Sequence, residues 1–184
     1  MARPWGGIEA IVTLLDRLLN KSPVKTAARR LHEQAVAQGR MPALYLDLGA
    51  PDTVEGRFEM LTLHVILLID RLRDEPAAAA VRQALFDTYV RDLDGALREM
   101  GVGDLSVGKK MRKLGEAFYG RAKAYDAAFR ALPDTAPLAD VASRTALDGA
   151  DGAPMAGYIQ AVRESLAAQP AAALIDGDVI WPGA

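Results

Sequence analysis

The chain has 184 residues, a formal net charge of -2 at pH 7 and no cysteine. That length suits one domain, or one domain with an appendage, and a fold of this size buries roughly 70% of its unfolded surface without covalent staples. Disulfides, thiolate metal sites, iron–sulfur clusters and cysteine nucleophiles are excluded, and the charge argues against a protein that coats DNA or RNA by bulk attraction.

The first predicted element is an amphipathic helix from Trp5 to Asn20, with Ile8, Ile11, Leu15 and Leu18 on one side. It carries Asp16 and Arg17 and leads to no small-residue cleavage site, so it does not read as a signal peptide. The longest apolar run in the chain, Val65 to Ile69, is far short of the ~20 residues that span a bilayer. A cytoplasmic protein is expected, free to rest peripherally on the inner membrane.

Ser22-Pro23 predicts the N-cap and first residue of a second helix that ends near Gly39. Leu44, Tyr45, Leu46 and Leu48 predict one or two helical turns before Gly49. The stretch from Asp52 to Arg73, DTVEGRFEMLTLHVILLIDRLR, predicts the central helix. Val54, Phe58, Leu61, Val65, Leu68 and Leu72 alternate at spacings of four and three, and Met60, Leu63 and Leu67 make a second apolar stripe beside them. A helix apolar around most of its girth needs neighbours on at least two sides. Asp52 with Glu55 is the predicted capping box.

The next helix is expected from Pro76 to about Met100, with Asp74-Glu75 before it and Gly101 and Gly103 ending it. A fifth, capped by Ser106, runs to about Leu132 and is crowded with Lys109, Lys110, Arg112, Lys113, Arg121 and Lys123. Past Pro133 the composition shifts to Pro, Gly, Asp and Ala. Helices are predicted at Ala136 to Ala146 and Met155 to Ala168, and Leu174 to Trp181 reads as extended. The sum is an all-α fold: a single-domain bundle of about six to seven helices around a buried central one. Residues 1–132 would form the main domain, and 133–184 a C-terminal extension with an irregular tail packed on it.

Gly103 to Lys110 nearly matches the phosphate-binding loop G-x-x-x-x-G-K-S/T. Lys110 stands where the magnesium-holding hydroxyl belongs, and a helix rather than a strand precedes it. Lys109 and Lys110 nonetheless lie in the first turn of a helix, where free N–H groups attract anions; a solvated basic face is the plainer account of the same residues. Asp92 and Asp94 are two apart on a helix and point in different directions, so they read as surface pairing partners. His64 on its apolar helix reads as a buried, hydrogen-bonded histidine, with haem ligation open only if a cavity exists. No Glu-x-x-His pair or nucleophile triad is visible, and no catalytic residue, metal or cofactor is expected.

Three segments, taken together, carry a resemblance. They are GRMPALY with LGAPDT (Gly39 to Thr53), GRFEMLTLHVILLIDRL (Gly56 to Leu72) and the long stretch from Leu85 to Tyr125 with its LREMGVGD element. From about Ala27 to Arg130 the chain resembles the ubiquinol–cytochrome c chaperone family; nothing before Asn20 or after Pro133 carries the likeness. The resemblance implies a non-enzymatic helical chaperone for newly made cytochrome b in assembly of the cytochrome bc1 complex. It also implies a small partner protein and proximity to the ribosome. It marks Gly56, Arg57, Phe58, Glu59 and His64 on the central helix, and Asp94, Arg98, Glu99, Gly101, Asp104, Lys109 and Lys110 around the next turn, as fold and client-binding determinants. On this reading Phe58, Met60, Leu63 and Leu67 line a groove for a client helix, with the lysines at its rim. The alternative is a helical carrier of a small apolar ligand: haem, quinone or lipid.

Overall fold

The computed structural model describes residues 22–183; the helix expected at Trp5 to Asn20 lies outside them. The described elements are α1 (Pro23–Gln38), α2 (Pro42–Leu46), α3 (Val54–Arg71), a 3-10 turn (Pro76–Ala78), α4 (Ala79–Glu99), α5 (Asp104–Ala131), α6 (Ala136–Ala146), α7 (Ala153–Ala168) and α8 (Ala171–Ile175). No strand occurs among the described residues. The fold is all-α, as the periodicity predicts.

Helix α3 is the axis. It packs against α1, α4, α5, α6 and α7. Met60 and the unbroken run from Thr62 to Leu68 are buried, and Leu61 between them is half-buried. Alanines bring α1 close: Ala27, Ala28 and Ala35 are buried with Leu31, and α1 lies most extensively along α4. One hydrophobic cluster runs from these helices through Leu138, Val141, Ile159, Val162 and Leu166, so residues on both sides of Pro133 share a core. Each fully buried leucine contributes roughly 1.5–3 kcal/mol.

The N-terminus of α3 differs from the expected capping box. Thr53, not Asp52, is the N-cap, and its hydroxyl accepts from the Gly56 N–H at 3.0 Å. Asp52 instead takes Arg57, with Nε 2.7 Å from its carboxylate. The carbonyl of Pro51 folds over this first turn so tightly that a Cβ at position 56 would lie 1.9 Å from it. That contact gives the Gly56 of the GRFE element its physical reason.

Helix α5 begins at Asp104 behind Gly103, so Ser106 lies inside the first turn and is not the cap. Gly101 ends the preceding segment at φ 80°, where the Val102 N–H reaches the Leu97 carbonyl and the Gly101 N–H reaches Arg98, a Schellman stop.

The C-terminal segment is a strap. Leu174 and Ile175 belong to α8 and are not extended as expected, because Leu174 is drawn fully into the core. Beyond it Gln169 accepts from the Ile180 N–H and donates to its carbonyl, at 2.9 and 2.8 Å. Gln34 and Gln38 of α1 donate to the carbonyls of Gly177 and Pro182.

Candidate functional site

His64 shows how the centre is built. Its Nδ1 lies 2.7 Å from the Met60 carbonyl, which can only accept, so the proton sits on Nδ1. Nε2, 2.7 Å from Tyr158 Oη, therefore accepts from that hydroxyl. Gln38 Nε2 donates to the same Tyr158 oxygen at 2.9 Å, and the Trp181 ring closes edge-on at 5.3 Å. Burial holds the imidazole down at about 4, and pushes the Tyr158 phenol up to about 12. Both ring nitrogens are engaged and the ring is fully buried, which leaves His64 no position for haem iron.

The burial of α3 overturns part of the expected groove. Met60, Leu63, His64 and Leu67 are 0, 1, 0 and 1% exposed, so none of them meets a partner on this surface. Helices α6 and α7 cover that side of α3, and the C-terminal strap closes over His64. These are the segments beyond Pro133, whose packing no periodicity in α3 reveals.

An apolar groove of about 570 Å³ does exist, on the other side. Its floor is Phe58 and Leu61 of α3; its walls are Val36 of α1, Leu93, Leu97 and Met100 around the end of α4, and Leu114 of α5. Val54 and Met100 at its mouth are 62% and 56% exposed. Arg40, Glu55, Arg57, Asp92 and Lys110 are the charged residues of its lining. Phe58, Arg57 and Lys110 are thus the sequence-derived site residues that the fold brings together. Leu61, Leu93, Leu97 and Met100 fall on apolar stripes, and periodicity alone assigns such stripes to the core.

The other expected residues form braces. Arg98 holds Asp94 through Nε at 2.7 Å and also grips Asp104, tying the end of α4 to the start of α5. Glu99 and Lys109 are exposed beside this brace. Asp94 is the helical pairing partner that the spacing suggests, but Asp92 is not. Its carboxylate lies 3.8 Å from Nε2 of the buried His32, whose imidazole is pushed below its ordinary value by burial, against the pull of Asp92. Under the groove floor, Glu59 and Arg121 make a two-pronged ion pair between α3 and α5, and the Arg121 guanidinium also stands over the Phe58 ring at 5.8 Å. This pair was not legible in the sequence, because its members are 62 residues apart. No group of three or more His, Asp or Glu side chains among the described residues converges as a metal would require.

The model of the family described as ubiquinol-cytochrome C chaperone matches residues 46–181. The chain belongs to this family. The match extends about fifty residues past the point where the sequence motifs end, and so takes in α6, α7 and the strap that seals His64. Among solved structures, the chain is similar to the crystal structure of the Cbp3 homolog from Brucella abortus: 34% identity, a TM-score of 0.80, and coverage of 94% of this chain and 97% of that one. No curated protein matches. In this member of the chaperone family the matched GRFE element serves two purposes. Gly56 admits the Pro51 carbonyl, Glu59 anchors α5, and Arg57 and Phe58 face the groove.

Proposed function

We propose that this chain acts in assembly of the cytochrome bc1 complex by holding newly made cytochrome b, and that the groove between α3, α4 and α5 receives an apolar client segment. The observation that carries the reading is the coincidence of family motif and apolar surface: Arg57 and Phe58 of the matched central helix form part of the groove's lining. A membrane protein's helix needs an apolar surface before insertion, and a folded protein seldom leaves one open without use. Helix-in-groove recognition supplies such a surface, with rim charges setting orientation. A small partner protein and the ribosome belong to the same reading through the family resemblance. No step of bond making or breaking is part of it.

The test is deletion in the native organism, followed by the reduced-minus-oxidised membrane spectrum and a blot for cytochrome b. Loss of cytochrome b with its messenger RNA intact, restored by the wild-type gene but not by Met100→Asp, is the expected result. Unchanged cytochrome b in the deletion strain overturns the reading. The groove's volume also lies within the ~300–1,000 Å³ of small-ligand sites, which supports the second reading, an apolar-ligand carrier. Mass spectrometry of an organic extract decides that one: a lipid or quinone at near-unit stoichiometry favours it.

A further inference from the structure

We infer that the outer face of the turn between α4 and α5 docks on an anionic phospholipid bilayer. Leu105 is the most exposed large apolar side chain among the described residues, at 102%, and Met100 before the turn is 56% exposed. Leu105, Lys109 and Arg112 follow one another at spacings of four and three, so they share one stripe of α5, with Lys113 beside it. All four are exposed, while Val107 on the opposite side is buried. Among the acids around the turn, Arg98 holds both Asp94 and Asp104, Glu116 stands 3.9 Å from Arg112, and Glu99 is exposed; the cations Arg98, Lys109, Lys110, Arg112 and Lys113 outnumber these four acids by one. The face therefore keeps a cationic excess, although the chain as a whole carries -2.

Two needs meet on this face. An aliphatic side chain projecting into water gains by burial, and neighbouring cations gain from phosphate. The interfacial zone of an anionic bilayer supplies both at the right depth, acyl chain under headgroup. The start of α5 adds free backbone N–H groups and the positive end of its macrodipole, and Gly103 offers no side chain to occupy them. Nucleic acid is the less suitable polyanion, because it rewards exposed aromatic rings with stacking, and the apolar side chains at the turn, Leu105 and Met100, are aliphatic; the exposed ring on the same stripe, Tyr119, lies about three turns further along α5 than Lys109. No described helix is long and apolar enough to cross a membrane, so the contact is interfacial. Met100 also borders the groove, and docking by this face brings the groove mouth near the bilayer.

The experiment is co-sedimentation of the full chain with vesicles of phosphatidylcholine alone and of phosphatidylcholine mixed with phosphatidylglycerol, at physiological ionic strength. No client is present, so the outcome is independent of the proposed function. The expected result is binding to the mixed vesicles only, weakened by added salt. Lys109→Gln and Lys113→Gln should each reduce partitioning roughly fivefold, and Leu105→Ser roughly tenfold. Lys25→Gln, on the distant start of α1, should change nothing. Circular dichroism checks that each variant is folded. Equal binding to both vesicle types overturns the inference, as does binding that Leu105→Ser and the lysine variants leave intact. Failure to bind vesicles overturns it too, and if the same variants then abolish capture of RNA, the face serves nucleic acid instead.

Discussion

The Nε2 of His64 on α3 accepts from the Tyr158 hydroxyl on α7 at 2.7 Å, across 94 residues of chain. This bond ties the motif-bearing half of the molecule to the half that follows Pro133. It also makes stability depend on pH. The folded imidazole is held at about 4 against 6.5 when unfolded, mainly by burial. A depressed histidine binds its proton more readily in the unfolded chain, so stability is full above about 6.5, falls as pH drops through the window, and levels off below about 4. The loss attributable to this residue is about 3 kcal/mol. Urea titrations between pH 7.5 and 4.5 should show that slope, and His64→Phe should reduce it to the part that buried His32, also held below its ordinary value, contributes.

Tyr158→Phe removes one hydroxyl and strands two buried partners, His64 Nε2 and one amide hydrogen of Gln38. A cost of about 2–3 kcal/mol is expected, since a buried polar group without a partner forfeits its desolvation energy. Chemical denaturation at pH 7.5 measures it. A cost below half a kcal/mol would mean that water or a rotated side chain replaces the bond.

Glu59 and Arg121 are a pair that is costly to break singly. Their side chains are only 13% and 24% exposed. Glu59→Gln or Arg121→Met should destabilise by about 2–4 kcal/mol, and the double replacement by less than the sum, because no lone charge then remains under the groove. A double-mutant cycle read by denaturant midpoint gives the coupling.

The glycines of the helices divide by what surrounds them. A Cβ at Gly56 meets the Pro51 carbonyl at 1.9 Å, whereas a Cβ at Gly108 meets nothing within 4 Å. Gly56→Ala should therefore lower the melting temperature sharply. Gly108→Ala should raise it by about 2–4 °C, the yield of up to ~1 kcal/mol of helix propensity in a chain of this size. Thermal unfolding of the two variants side by side is the check.

Leu63 and Met100 separate core from surface. Leu63→Ala should cost about 2–5 kcal/mol, as a buried leucine does. Met100→Ser should cost under half a kcal/mol while weakening client capture, because Met100 borders the groove and is more than half exposed. Pull-down of client beside a denaturation curve distinguishes the two roles.

The sequence by itself determined the long helices, because each is written in local terms such as spacing of three and four and proline at the first turn; the short α8, read as extended, was the exception. Helix α6 from Ala136 to Ala146 and the long α5 follow from that pattern, and the family motifs sit on α3 and on the α4–α5 turn as read. Cap identity was less legible. Asp52 and Thr53 are equally good acceptors, and the choice fell to Thr53 because Arg57 claims the aspartate. Which stripe of α3 stays open was decided only by tertiary structure. Two apolar stripes lie on one helix, and hydrophobicity marks both for burial without saying which neighbour covers them. Helices α6 and α7 and the strap, joined to α3 by His64, Tyr158 and Gln38, closed over Met60, Leu63 and Leu67. The face carrying Phe58 and Leu61 was left as the groove, because burial is a property of pairs of elements and is not encoded in the period of either one.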